Sequence, residues 1–399
     1  MTLDSNHPNS EIQAKLEAIY SLHTKKMDFR LDKGPYRDLL TAIGNPHLHL
    51  PPAIHVAGTN GKGSTIVFLK SLCEAAGMSV HAYTSPHLLK FNERITLNGA
   101  HISDAVLNHY LDMIETTNAG APLTFFEYTT ALAFKAFADH PADICLLETG
   151  LGGRLDCTNV IEKPMATVIT SIGHDHMDWL GHDITDIARE KAGIMKAGSP
   201  CFIAPQDYDV MHVFEKKAKD VGCDLHAVKR LDDLTDLGLA GEHQKDNASV
   251  ALKTLETLGH VINRAALAVA KWPARMEKIS DSPEIWFDCG HNQEGAEAIA
   301  KQLKQWRTKD PDRHIHLVLA LARDKDPNDF LAPLWPYIDH VTCVDLLNAR
   351  NPQSAEELRI RINAQKPVKI GTIDDVFSDA NDITMITGSL YLYEHVKTL

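Results

Sequence analysis

Residues Ile54 to Ser64 read I-H-V-A-G-T-N-G-K-G-S, an apolar strand running straight into a turn of three glycines around one lysine. Small residues let several backbone N–H groups converge on phosphate oxygens, and the helix that follows, T-I-V-F-L-K-S-L, adds its dipole to the same spot. Lys62 is placed to reach the β- and γ-phosphates of a nucleoside triphosphate, and Ser64 or Thr65 to open the helix. The general phosphate-loop pattern has Ser or Thr directly after the lysine, whereas Gly63 intervenes here. A bare glycine turn is often only a turn. The strand before it and the amphipathic helix after it favour phosphate.

Working outward, strand and helix alternate. Strands are expected at Ile54–Ala57, Ser79–Thr84, Asp143–Glu148, Ala166–Ile172 and Pro200–Ala204. Helices are expected at Ser64–Ala76, Ser103–Thr117, Phe126–Asp139, Ile184–Lys196 and Asp246–Leu258. This alternation predicts a parallel sheet covered on both faces, with ligands at the carboxyl ends of its strands. After Lys271-Trp272-Pro273-Ala274-Arg275 the texture restarts. Strands at Ile285–Asp288, Ile315–Ala320, His340–Val344, Val368–Ile370 and Ile383–Thr387 form a second, smaller α/β unit without a phosphate loop. The domains expected are 1–275 and 276–399.

A chain of 399 residues exceeds a comfortable single core, and 44% hydrophobic with 23% charged residues is ordinary globular composition. The longest apolar runs are strand-sized, so no membrane span is expected, and the polar start M-T-L-D-S-N-H-P is no signal peptide. Seven cysteines without paired spacing suit a reducing cytoplasm and argue against structural zinc. A net charge of −13 speaks against nucleic acid as a partner.

Three constellations carry chemistry. Glu148 ends the apolar strand D-I-C-L-L-E, so its carboxylate emerges at the ligand edge; beside a nucleotide loop it reads as a magnesium ligand rather than a strand cap. The glycine loop G-L-G-G-R-L-D follows, bearing Arg154 and Asp156. Ser171 to Asp178 gathers His174, Asp175, His176 and Asp178 after a strand. H-x-H-x-D is a hydrolase metal pattern, but Trp179 stands where that pattern continues with His, and the nearby nucleotide loop offers another use, for which His176 is preferred. In I-T-D-I-A-R-E-K-A-G-I-M-K, the residues Ile184, Ile187, Lys191 and Ile194 form one helical stripe. Lys191 on an apolar face either snorkels, pairs with a carboxylate such as Asp175 or Asp178, or has a depressed pKa and is open to modification. Asn247 near a helix start and Asp288 after a strand are weaker signals.

The strings A-G-T-N-G-K-G-S, T-S-P-H-L-L-K-F-N-E-R-I, F-F-E-Y-T-T-A-L-A-F, E-T-G-L-G-G-R-L-D-C-T-N, D-H-M-D-W-L-G, R-E-K-A-G-I-M-K, H-Q-K-D-N-A, W-P-A-R-M-E, D-C-G-H-N and T-G-S-L-Y-L resemble, in order and over nearly the whole chain, the folylpolyglutamate synthase/dihydrofolate synthase family, relatives of the Mur ligases. The resemblance implies a P-loop Mur-ligase-like central domain, a smaller Rossmann-like C-terminal domain, and ATP-dependent ligation of L-glutamate to dihydropteroate and folates through an acyl phosphate. By matched position it implies that Thr59, Asn60, Gly61, Lys62, Gly63, Ser64, Asn247, Arg275 and Asp288 bind ATP, with domain closure assembling the site. It likewise implies that Ser85, Glu148 and His176 hold Mg2+, and that Lys191 is carbamylated beside a second Mg2+; Lys62, Lys191 and His176 are the catalytic candidates. The substrate contacts implied are Asp28, Phe29, Arg30, Leu31, Thr124, Phe125, Phe126, Glu127, Gly152, Gly153 and Arg154. A cytoplasmic monomer is expected. Three positions depart from the family: Ala274 for a glycine, Cys289-Gly290 for Gly-Ala, and Arg30 with Lys33 for glycine and arginine beside the pterin. The rivals are another Mur-type amino-acid ligase, a metal-dependent hydrolase and a binding protein. The strings T-F-F-E and G-L-G-G-R-L-D favour folate over the first.

Overall fold

The stretch Ala53–Ala57 is buried at every residue, as a strand covered on both faces must be. It is the hub of a computed structural model that describes residues 5–21, 31–347, 349, 351–374 and 382–397. The described chain forms two compact units, Asp4–Gly238 with Lys245–Ala270, and Leu239–Gln244 with Lys271–Leu399.

The first unit holds β1 (Ala53–Ala57), β2 (Val80–Tyr83), β3 (Ile95–Leu97), β4 (Ala100–His101), β5 (Ile144–Glu148), β6 (Ala166–Ile169), β7 (Cys201–Ile203) and β8 (Leu225–Ala227). Their order across the sheet is β4-β3-β2-β5-β1-β6-β7-β8. β1 has parallel partners on both sides, with Val56 opposite Glu148 of β5 and Ala57 opposite Ile169 of β6. From β1 the chain crosses to β2 on one side, while β6, β7 and β8 build outward on the other. The loops after β1, β5 and β6 therefore open where the winding reverses, the crevice in which doubly wound sheets bind ligands.

The sheet is not parallel throughout, as the alternation alone suggested. β3 and β4 form an antiparallel hairpin at one edge, with Asn98 and Gly99 both left-handed (φ 49 and 84) as a tight I′ turn requires. Other boundaries move for identifiable reasons. The strand expected to reach Ile172 stops at Ile169, and the Thr170 hydroxyl donates to the Asn60 carbonyl at 2.7 Å. The helix expected to reach Lys196 is Ile184–Ala192. The Glu190 carbonyl, which a continuing helix would offer to the Ile194 amide, takes the Arg154 N–H at 2.7 Å. Ile194 is buried but lies beyond that helix.

The first unit's largest core gathers Leu16, Leu40, Tyr128, Phe134 and Phe137 between its N-terminal helices and the helix Phe125–Asp139. The second unit holds β9 (Glu277–Asp281), β10 (Glu284–Asp288), β11 (Ile315–Leu319), β12 (His340–Cys343), β13 (Val368–Ile370) and β14 (Ile383–Thr387), in the order β13-β12-β11-β14-β10-β9. Only β9 runs antiparallel to its neighbour. Its core includes Leu303, Leu317, Phe330 and Trp335. No described helix is long and apolar enough to cross a membrane.

Candidate active site

The glycine loop leaves β1 and is braced from β6. Thr59 N–H donates to the Ser171 carbonyl at 2.8 Å, and the Thr59 hydroxyl meets Gly173 on both its carbonyl (3.1 Å) and its amide (3.0 Å). Gly58 passes so close to Thr170 that a Cβ there would stand 1.8 Å from the hydroxyl oxygen. Gly61 is left-handed at φ 87 and begins the helix Lys62–Ala75, two residues ahead of the start expected. A Cβ on Gly61 would lie 2.3 Å from Oδ1 of Asn247, carried by the helix Gln244–Thr257. Asn247 is thereby set against the phosphate loop.

Two lysines meet at this loop. Lys62 Nζ donates to the carbonyls of Gly58 (3.0 Å) and Thr59 (3.1 Å), and buried Lys191 Nζ donates to the same Gly58 carbonyl at 2.8 Å. Burial, and then the neighbouring Lys62 charge, pull the Lys191 amine down to about 7, against weaker support from Asp175, Asp156 and Glu190. Lys191 is thus neither snorkelling nor held by a direct carboxylate bond: it is a buried amine on a backbone carbonyl.

Glu148 is buried at the end of β5, and its Oε2 accepts the Ser85 N–H at 3.0 Å. His176 is exposed, carries left-handed backbone (φ 52), and donates its N–H to Asp175 Oδ1 at 2.8 Å. Non-glycine residues hold such backbone only where their surroundings impose it, and they cluster at functional sites. Among the described residues no three His, Cys, Asp or Glu side chains converge as a ready metal cage. The His174–Asp178 run is therefore not the preformed hydrolase centre its spacing suggested. Hard oxygens from Glu148 and Ser85 beside a phosphate loop suit Mg2+, which keeps waters and takes few protein ligands.

The loops assigned to substrate have visible structural work. Thr124 and Glu127 cap the helix Phe125–Asp139 reciprocally: Thr124 N–H donates to Glu127 Oε2 at 2.8 Å and Glu127 N–H to Thr124 Oγ1 at 3.1 Å. Phe125 is core, edge-on to Phe91 with centroids 6.1 Å apart, while half-buried Phe126 stacks on Tyr83 at 5.8 Å and covers Gly150. Arg154 pairs with Glu190 at 2.8 Å, which ties the Gly152–Gly153 loop to the helix bearing Lys191. Buried Asp156 closes that loop by accepting the Gly150 and Leu151 N–H groups, each at 2.8 Å. Leu31 packs half-buried against the core; Asp28, Phe29 and Arg30 lie outside the described residues.

In the second unit, Arg275 sits between Ala274 (φ 61) and Met276 (φ 42), and donates to the Cys289 sulfur. Asp288 accepts the Met276 N–H at 2.8 Å and the Gly290 N–H at 2.7 Å. Its carboxylate shapes the turn that presents Arg275. The left-handed Ala274 also explains why glycine is usual there. Ala274→Gly is expected to stabilise the protein by about 0.5–1 kcal/mol, the left-handed cost of alanine less the extra chain entropy of glycine. Thermal unfolding checks it, and a lower Tm would contradict it.

Two site residues escaped the sequence reading. Gly58 lies in the quoted stretch but gave no hint that its carbonyl serves two lysines. Thr170 has no local signal, because it braces a loop 110 residues away.

The Mur ligase middle domain family matches residues 56–256, and the Mur ligase, glutamate ligase domain family matches residues 274–390. A dihydrofolate synthase/folylpolyglutamate synthase from Bacillus subtilis is 34% identical over 409 residues, spanning 91% of this chain and 94% of its own. E. coli FolC in complex with DHPP and ADP has a TM-score of 0.85 at 29% identity, covering 100% of this chain and 98% of that one. A Yersinia pestis bifunctional folylpolyglutamate synthase/dihydrofolate synthase complexed with AMPPNP and Mn ion gives 0.84 at 28%, covering 100% and 99%. With the order of its motifs, its two-unit fold and this coverage, the chain belongs to the dihydrofolate synthase/folylpolyglutamate synthase family of Mur ligases.

Proposed function

We propose that this chain is an ATP-dependent ligase that joins L-glutamate to 7,8-dihydropteroate and to folates and folylglutamates, acting as a cytoplasmic monomer. The observation that carries the reading is the meeting of Lys62 and buried Lys191 on the Gly58 carbonyl, inside a phosphate loop flanked by Glu148. The substrate carboxylate takes the γ-phosphoryl group, ADP leaves, and the glutamate amine attacks the acyl phosphate; phosphate then leaves and an amide remains. Such a transfer is positioning and charge stabilisation, which backbone amides and lysines supply without a protein nucleophile. Amides from Gly61 to Ser64, with Thr59, Asn60 and Lys62, hold the phosphates; Asn247, Arg275 and Asp288 serve the nucleotide. Ser85, Glu148 and His176 would hold Mg2+, which supplies charge neutralisation on the triphosphate. Lys191, as a neutral amine, adds CO2 to become an anionic carbamate and releases a proton, and so offers oxygen toward a second Mg2+. Phe126, with its half-buried ring, and the Gly152–Arg154 loop face the pterin substrate.

The test is phosphate release that requires ATP, glutamate and acceptor together, with dihydropteroate and tetrahydrofolate side by side. Release with both acceptors is expected. Release with tetrahydrofolate alone gives the monofunctional folylpolyglutamate synthase, the second reading, which Arg30 and Lys33 favour. Release with neither acceptor removes the folate assignment.

Glu148→Gln and His176→Ala are each expected to raise the magnesium concentration for half-maximal rate about tenfold and to lower kcat. Unchanged magnesium titrations would remove both residues from the metal.

A further inference from the structure

Arg275 is presented by a turn with left-handed backbone on both sides, Ala274 at φ 61 and Met276 at φ 42, a geometry that persists only where its surroundings enforce it. Two carboxylates do so. Asp288 takes the Met276 N–H, and Glu277 Oε2 takes the Ala274 N–H at 2.8 Å. Glu277 has two further partners, both from the last helix, Tyr393–Lys397. The Tyr393 hydroxyl donates to Oε2 at 2.9 Å and Lys397 Nζ donates to Oε1 at 2.7 Å. The buried Tyr393 ring packs 5.3 Å from Phe287, on the strand that ends in Asp288. Burial alone would raise the Glu277 carboxyl, but the Ala274 N–H, Lys397 and Tyr393 outweigh it and hold it below the ordinary glutamate value. One carboxylate thus ties the end of the chain to one flank of the Arg275 turn.

We propose that Glu277 is a positioning residue: through the Ala274 N–H it fixes the turn that aims Arg275, and the Tyr393–Lys397 helix fixes Glu277. The inference rests on the reading that Arg275 contacts the nucleotide.

The experiment measures ADP binding by titration calorimetry, with Tm alongside, for the full chain and for Glu277→Ala, Glu277→Gln, Arg275→Ala and the Glu277→Ala/Arg275→Ala pair. All are titrated at a temperature where each is folded. Glu277→Ala is expected to weaken ADP binding about tenfold, the loss of one hydrogen bond to a charged group. Glu277→Gln keeps acceptors for Ala274 and Tyr393 and recovers most of that loss. With Arg275 already removed, the alanine at 277 adds less than about twofold, because its effect runs through Arg275. Wild-type ADP affinity in Glu277→Ala, or an undiminished effect in the Arg275→Ala background, overturns the proposal in favour of a purely structural carboxylate. Wild-type affinity in Arg275→Ala removes the nucleotide reading of Arg275, and the proposal with it. Should Glu277→Ala fail to fold, Tyr393→Phe removes one O–H from the carboxylate and is expected to weaken ADP in the same Arg275-dependent way, and unchanged affinity there counts against the proposal.

Discussion

Lys62→Ala is expected to abolish turnover, at least about 1,000-fold in kcat, while the protein stays folded. Lys62 is the cation of the glycine loop, and it already lies on the Gly58 and Thr59 carbonyls, ready to meet phosphate oxygens. Its loss removes positive charge where negative charge develops during phosphoryl transfer. The loop keeps its shape without it: Thr59 N–H remains on the Ser171 carbonyl and the Thr170 hydroxyl on the Asn60 carbonyl. Steady-state kinetics at saturating ATP, with circular dichroism and Tm as the fold control, check both halves. A near-wild-type rate would end the assignment of this loop to ATP.

Lys191 is expected to matter as much for rate and in the opposite sense for stability. Lys191→Ala should be inactive, and short carboxylic acids in the assay should restore part of its rate by standing in for a carbamate. Full activity in this variant, or rescue by none of the acids, would discard the carbamate. The stability half follows from the same amine. Its pKa of about 7 in the folded chain lies below the ordinary 10.5, so between those values the unfolded chain binds the extra proton. The lysine therefore costs stability, fully below pH 7 and progressively less as pH rises toward 10.5. In buffer free of bicarbonate, Lys191→Met should raise Tm most at or below pH 7, with the gain shrinking in alkali. A gain that grew with pH would contradict a buried, depressed amine.

How much of this was legible beforehand depended on distance along the chain. The strand, glycine turn and helix from Ala53 to Ala75 could be read because periodicity and loop chemistry are local. Lys191 announced itself by sitting on an apolar stripe, and burial followed. The edge hairpin was missed because strands of three and two residues carry no period, although Asn98-Gly99 was a turn signal in plain view. What joins Lys191 to Gly58 spans 133 residues, so no spacing rule could reveal the acceptor. The same holds for Asn247, whose weak signal near a helix start gained meaning only when the fold set it against Gly61. Asp288 changed character: its matched position implied a nucleotide contact, and its two backbone bonds show a carboxylate that builds a turn.

The reciprocal cap formed by Thr124 and Glu127 bears on how distant kin of this chain should be classified. Both side chains satisfy backbone groups at the start of a helix whose face is core. A paralogue that had abandoned pterins altogether would still need them to begin that helix, and Phe125 to fill its interior. Retention of T-F-F-E is thus a mark of inherited architecture and a poor ballot on substrate. Of the four letters, only the second phenylalanine, Phe126, has ring surface left to vote.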